Sequence, residues 1–459
     1  MQNDLYSSII NADFEALRRF LAVQGSVDAT VAVPFRDSRL HNTAQETVTP
    51  MVVTPLMAAA KLGSYDAVKI LVSSNCNVNL TTSVSGSTRT LYKRSFQHPD
   101  FWANPLILAC AGSHTEIVNL LLRARASPDK KSIFNHRLDA VTPLHVACSI
   151  GSFQVVDALL RYGARVNVVC LGYLPLHIAC RSGNCDIVSL LVRNGSSVNG
   201  KDDAFGCTPL HECSKLGHTN VVMALLATGA HVDALTSIQN VDFVRAHQTL
   251  LPDVPLNGSR NFACGVSPLM LAIAGAHWEV AHALLQHKSD PNIQDVHGRG
   301  ALHYLCGRRA TEPEAEIRLF HVLLKQRADL HRRDHKGFKG LHYAAAMNKS
   351  QLVDVWVAQL GRHINDKATS KDTSLHLACT FGSEAVVSVL LESGKFVQSY
   401  NNDGMLPIHL ACAHGHSQIV EIVLRRGICR PDTPTLAGES GSDVRDGVSN
   451  VMGCPFFLY

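Results

Sequence analysis

No stretch of this 459-residue chain reaches the roughly 18 consecutive apolar residues that a membrane-spanning helix needs. Its opening, MQNDLYSSII, lacks the basic region and apolar core of a secretory leader. Charge of one sign is equally scarce. Lys and Arg number 42 against 38 Asp and Glu, and the net charge of +4 is spread over the whole chain. That is too weak for a nucleic-acid or anionic-membrane footprint. The phosphate-cradling GxxxxGK[ST], the dinucleotide GxGxxG, the GxSxG elbow and the HExxH helix are all missing. Nothing therefore calls for catalysis, a cofactor, nucleic acid or membrane insertion.

What the sequence has instead is repetition. The stretch from Thr142 to Asn167 reads TPLHVACSIGSFQVVDALLRYGARVN. Thr142 suits a helix N-cap and Pro143 the first helical position, where its missing N–H costs nothing. Gly151 suits a left-handed helix end. Ser152 can cap a second helix, on which Val155, Val156, Leu159 and Leu160 share one face, and Gly163 ends it. A helix pair this short cannot bury its apolar face alone and needs a copy on each side.

The copies are present: LPLHIACRSGNCDIVSLLVRNGSSVN from Leu174, TPLHECSKLGHTNVVMALLATGAHVD from Thr208, and LPIHLACAHGHSQIVEIVLRRGICR from Leu406. The motif residues are Thr142, Pro143 and His145; Pro175 and His177; Thr208, Pro209 and His211; His376; and His409. The His recurs after 32, 34 and 33 residues. In this period and this Thr-Pro-Leu-His-x-Ala pattern, the sequence resembles the ankyrin-repeat family from residue 1 to about 430. The resemblance implies an all-α solenoid of about eleven helix-turn-helix repeats.

In chain order, residues 1–29 read as a degenerate capping repeat and 30–53 as an insertion. Residues 54–233 hold repeats, interrupted by a loop at 80–103. Residues 234–266 form a long interruption, read as a loop in preference to a decayed repeat. Repeats resume over 267–430, and 431–459 is a Gly/Ser/Asp-rich tail expected to be flexible. Copy eight carries about six extra residues around Thr311 to Glu316, expected between its two helices. Most insertions fall at the junction that in ankyrin-like arrays is a projecting finger, where added length leaves helix stacking intact.

The tempting chemistry has plain explanations. His145, His177, His303, His376 and His409 each precede a Cys by three residues, a spacing able to supply two metal ligands. In ankyrin-like repeats this His resembles a brace, bonding to the Thr hydroxyl and to the neighbouring repeat's backbone. Met57, Ile107 and Met270 replace it in other copies, which suits packing and not ligation. Cys110, Cys148, Cys180, Cys306, Cys379 and Cys412 occupy one small apolar slot, filled by Ala60, Ala274 and Ala346 elsewhere. Free thiols and a reducing compartment, cytosol or nucleus, follow. Asp66, Glu116, Asp186, Glu279 and Glu384 fall in the first turn of second helices, where the helix dipole favours acid. Asn75, Arg125, Lys288 and Arg327 stand where other copies have a helix-ending glycine. If the backbone there is left-handed, the Arg and Lys are strained by roughly 1 kcal/mol.

The expected function is a non-catalytic scaffold or adaptor that binds proteins through a concave face and its fingers. The alternatives are the substrate-recruiting subunit of a ubiquitin ligase, or the cytosolic interaction portion of a larger enzyme or channel. The tail shows no amphipathic adaptor-binding helix, and the last copy, with Ile419, Val420, Ile422, Val423 and Leu424, is as apolar as an internal one. The partner-binding candidates are Tyr92, Arg94, Phe101 and Trp102 in the first long loop and Phe243 and Arg245 in the second. Arg332 and Arg333 join them in the most basic finger, with His335, Lys336 and Lys339.

Overall fold

A computed structural model describes residues 7–23, 28, 31–34, 50–85, 100–134, 139–203, 205–237, 264–309, 312–360, 364–394, 396–428 and 434–436. The chain divides into two units. The first comprises residues 1–203 with 227–230, and the second 204–226 with 231–459.

The repeating element is the helix pair that the sequence announces. Copy four pairs Pro143–Ile150 with Phe153–Arg161, and Gly151 between them holds φ 79°. In the first unit each first helix packs on the first helix of the next copy, from Pro55–Leu62 through Pro105–Ala111 and Pro143–Ile150 to Pro175–Ser182. In the second unit the same stacking runs from Pro209–Leu216 through Pro268–Ala274, Ala301–Gly307, Gly340–Ala346 and Ser374–Thr380 to Pro407–Ala413. Second helices stack likewise, and the apolar columns close between copies. Val155, Val156 and Leu159 are wholly buried, as are Val221, Val222 and Leu225. Each unit is thus an α-solenoid in which one repeat supplies its neighbour's core.

The insertions add short strands to this helical frame. Val31–Pro34 pairs antiparallel with Pro50–Val53. Thr82–Ser85 pairs with Asp100–Ala103, Phe101 meets Phe134, and Ser132–Phe134 pairs with Asp139–Val141, giving one four-stranded sheet from two successive fingers.

Copy eight departs from the expected loop. Its second helix runs from Pro313 to Lys325, 13 residues against nine in copy seven and eleven in copy nine, so Pro313–Glu316 forms an extra helical turn and not a connection. Pro at the first helical position and acidic Glu314 and Glu316 behind it favour that extension. The left-handed backbone expected at the second-helix ends is present: Gly163 has φ 81°, Asn75 63°, Arg125 63°, Lys288 65° and Arg327 61°. Four further non-glycine residues, Ala12, Ser113, Ala276 and Asn348, take the left-handed inter-helix position that Gly151 fills in copy four. The small-residue slot is Ile273 in copy seven and Ala345 in copy nine, one residue before the Ala274 and Ala346 expected there. The first helices start at Pro268 and Gly340 and fix that register.

Candidate interaction surface

Most of the repeated polar side chains are spent on holding copies together. In copy six the Thr208 N–H donates to Nδ1 of His211 (3.0 Å), so that nitrogen is the acceptor. Nε2 then carries the proton, which faces the Val266 carbonyl of the next copy at 3.1 Å. The same tautomer follows for His303, held by the Gly300 N–H and facing the Phe338 carbonyl, and for His342, held by Lys339 N–H and facing the Asp366 carbonyl. It follows too for His376, between Thr373 and Met405. His145 joins the Thr142 hydroxyl to the Tyr173 carbonyl. His177 and His409 accept from the N–H groups of Leu174 and Leu406. Burial pulls His145 and His342 down to about 4 and lowers His303 and His376. In the five copies with both bonds, the imidazole has a partner on each nitrogen and stays neutral, which is a brace's environment and not a metal ligand's.

The Thr142 oxygen does not cap a backbone N–H, as expected from sequence; it is turned to His145, and the Ser152 side chain caps nothing either. Capping by the side chain survives where the His is replaced. Thr54, Asn104 and Ser267 accept from the N–H of Met57, Ile107 and Met270. Pro143, Pro175 and Pro209 each occupy the first turn.

A second brace was not anticipated. In copies three, seven and eleven a His before the second helix reaches back to the first helix of the preceding copy. His114 Nε2 meets the Lys61 carbonyl (3.3 Å), His277 that of Lys215 (3.0 Å), and His416 that of Thr380 (3.1 Å). The rings lie over Gly63, Gly217 and Gly382, where a Cβ would come within 2.6, 2.4 and 2.8 Å of them. In copy nine Lys349 takes this place. Its ammonium donates to the Leu305 carbonyl and to Glu316 (both 2.7 Å), and Glu316 also receives Arg308 (3.1 Å). Lys349 and Glu316 are fully interior, and desolvation lowers the ammonium's pKa while Glu316 opposes the shift. The extra turn of copy eight is what carries Glu316 into this position.

The fingers of the second unit are tied tip to tip. The Val296 N–H donates to Cys264, His335 to His297, Thr369 to Lys336, Asn402 to Ser370, and Leu436 to Gly404, all between 2.8 and 3.1 Å. Leu436 belongs to the expected tail, so that segment's described residues carry on the ladder; Tyr400 also donates to the Pro434 carbonyl at 3.4 Å. Within fingers the carboxylates turn inward. Asp295 Oδ1 accepts from His297 and Arg299 N–H groups, and Asp334 Oδ1 from Lys336 and Phe338. Their second oxygens take the hydroxyls of Tyr304 and Tyr343.

Of the sequence-nominated partner residues, Arg332 and Arg333 are exposed on one such finger. Arg333 is not free-swinging: it donates to the carbonyls of Gly337 and Lys367. His335 and Lys336 are exposed beside them, but Lys339 is not part of that surface. It is buried, at 3 % exposure, and paired to Asp366 and His331, because it fills the N-cap slot of copy nine. Sequence reading passed over Lys367 and Lys371, exposed on the next finger. The signal was there, since Lys367 stands in the same repeat position as Arg333. Phe101 and Trp102 lie in a finger strand. Tyr92, Arg94, Phe243 and Arg245 lie outside the described residues.

Comparison with known proteins agrees with the helix pairs. A family model described as ankyrin repeats in three copies matches residues 87–170, 169–236 and 341–433, and one for a single ankyrin repeat matches 53–83 and 264–296. The chain is 25 % identical over 423 residues to the human transient receptor potential cation channel subfamily A member 1, covering 77 % of this chain and 35 % of that protein. It is 25 % identical over 165 residues to the phosphate system positive regulatory protein PHO81 of Saccharomyces cerevisiae, covering 36 % and 13 %. The chain thus spans about a third or less of the length of these curated relatives. The crystal structure of the human ASB11 ankyrin repeat domain gives a TM-score of 0.43 at 23 % identity, covering 60 % of this chain and 99 % of that one. With ankyrin-repeat models matched over more than half its length, the chain belongs to the ankyrin-repeat family.

Proposed function

We propose that this chain is a non-catalytic scaffold or adaptor that binds other proteins along its repeats, in a reducing compartment, cytosol or nucleus. One observation carries the reading: the recurring imidazoles, amides and finger carboxylates are committed to holding one copy to the next. Chemical variety is left to exposed finger side chains such as Arg332, Lys336, Lys367 and Lys371. A pre-formed surface of this kind binds without a large ordering cost, which is how many modest contacts add to useful affinity. The insertion from Tyr92 to Trp102, rich in aromatic and basic residues, supplies a second contact region in this reading.

The test is affinity capture from native extract with the full chain, beside a chain lacking residues 86–99. Stoichiometric capture of defined proteins supports the scaffold. A chain that retains nothing above a bare-resin control rejects it. Loss of capture without loss of melting temperature assigns the contact to the deleted loop.

A second reading draws on the 423-residue match to a cation channel subunit, of which this chain covers 35 %. There the repeats would serve as the interaction portion of a larger protein, and the same surface would face the rest of that assembly.

A further inference from the structure

From the charge on the fingers of copies eight to ten, we infer that they form a docking ridge for an acidic segment of a partner protein. This rests on the scaffold reading and names the partner's chemistry. On two successive fingers the exposed charged side chains at the tips are Arg332, Arg333 and Lys336, then Lys367 and Lys371, joined by His331 and His335. The carboxylates of the same turns are engaged within the fingers. Asp334 is buried and shared between two backbone N–H groups and Tyr343. Asp366 is paired with Lys339, and Asp372 accepts from Ser370 and Asn401. Asp329, at the foot of the first finger, is exposed and accepts from the His331 N–H. At the two finger tips the cations therefore outnumber the carboxylates, and the tip carboxylates are engaged in turn ties.

The ridge is also held in place. Its two fingers are bonded to each other through Thr369 to Lys336 and Arg333 to Lys367, and to the flanking fingers through His335 to His297 and Asn402 to Ser370. Gln294 adds a bond to the Arg333 carbonyl. Cations on a tied frame keep their spacing before a ligand arrives, so little freedom is lost on binding. The patch is short and bounded. In the repeat positions of Arg333 and Lys336, the preceding finger has Gln294 and His297, and the following one has Tyr400 and Asp403. Its aromatics are turned in: Phe338, Tyr343 and Tyr304 are buried. A nucleic-acid strand is served by a longer basic track with exposed stacking rings, so a short acidic peptide fits these fingers better.

The experiment titrates the full chain with a fluorescein-labelled octaglutamate peptide, with a single-stranded oligonucleotide of 20 bases as competitor class. The test variant reverses Arg332→Glu, Lys336→Glu, Lys367→Glu and Lys371→Glu, leaving Arg333 because it ties two fingers. A control variant reverses four exposed cations on second helices, Lys69→Glu, Arg123→Glu, Arg161→Glu and Arg193→Glu. Circular dichroism and melting confirm that both fold. We expect salt-sensitive peptide binding that weakens about tenfold or more in the ridge variant and less than threefold in the control, from several exposed pairs acting together. Equal weakening by both variants, absence of peptide binding, or tighter binding of the oligonucleotide overturns the inference. Capture from extract separates the two readings. If both the parent and the ridge variant retain the same proteins, the scaffold stands and the ridge fails; if neither retains any, the scaffold itself fails.

Discussion

Acid should loosen these repeats in a way that a single substitution can flatten. The rings of His145 and His342 are 1 % exposed and held by burial at about 4. In the unfolded chain they titrate near the ordinary value of about 6.5. As pH falls through 6.5 the unfolded state takes up protons first, so stability drops from there until the folded rings charge near 4. Between pH 7 and pH 5, one such ring costs about 2 kcal/mol, and about 3 kcal/mol over the full window. His303 and His376 shift in the same direction and add to the loss. The perturbation is His342→Gln. Its amide oxygen can accept the Lys339 N–H and its NH₂ can face the Asp366 carbonyl, but it cannot titrate. Urea midpoints followed by circular dichroism at pH 7 and pH 5, at constant ionic strength, give the slope. The variant should start less stable at pH 7 and lose about 2 kcal/mol less on acidification. A parent protein equally stable at both pH values, or a variant that loses as much as the parent, would refute the neutral-brace argument.

Three further substitutions follow from the same geometry. Glu316→Gln leaves Arg308 and Lys349 without their shared counter-ion and should cost about 3–5 kcal/mol; an unchanged melting temperature would show that the interior ion cluster bears no load. Gly340→Ala puts a Cβ 2.7 Å from the buried indole of Trp356 and should cost about 1–3 kcal/mol by urea titration, with no loss meaning that the ring moves aside freely. Arg327→Gly removes a left-handed strain of about 1 kcal/mol, partly offset by the freedom glycine adds to the unfolded chain. Hydrogen exchange should slow in copy eight, and faster exchange there would contradict the strain reading.

What could be read from the sequence was whatever lies within one repeat. Thr-Pro-Leu-His gave the helix starts, the inter-helix glycines gave the turns, and the substitution of Arg125, Lys288 and Arg327 for glycine gave left-handed backbone that the structure contains. What escaped lies between repeats. His114, His277 and His416 look like ordinary turn residues until the preceding copy brings Lys61, Lys215 and Thr380 carbonyls above them. Lys339 reads as a surface charge because Arg332, Arg333 and Lys336 surround it in sequence. Its slot, however, is an N-cap, and the slot buries it. The extra residues of copy eight read as a loop because inserted length at a helix junction usually is one. Only the Lys349 ammonium and Arg308 waiting opposite make a further helical turn, ending on Glu316, the better use of them.

The same distinction bears on where specificity can reside. A column whose side chain bonds across to the next copy is fixed by that bond. The imidazole column closes N-cap N–H to neighbouring carbonyl, and the Asn79, Asn167 and Asn292 amides each bridge to the following turn. Finger carboxylates close their own hairpins. Changing any of these removes a tie between or within repeats before it changes a surface. The finger positions of Arg332, Lys336, Lys367 and Lys371 are under no such demand, since the ties there run mostly through backbone groups and leave those side chains outside. Cation at these places is therefore not required by the fold. The inferred docking ridge gives these repeated cations a use that the fold itself does not.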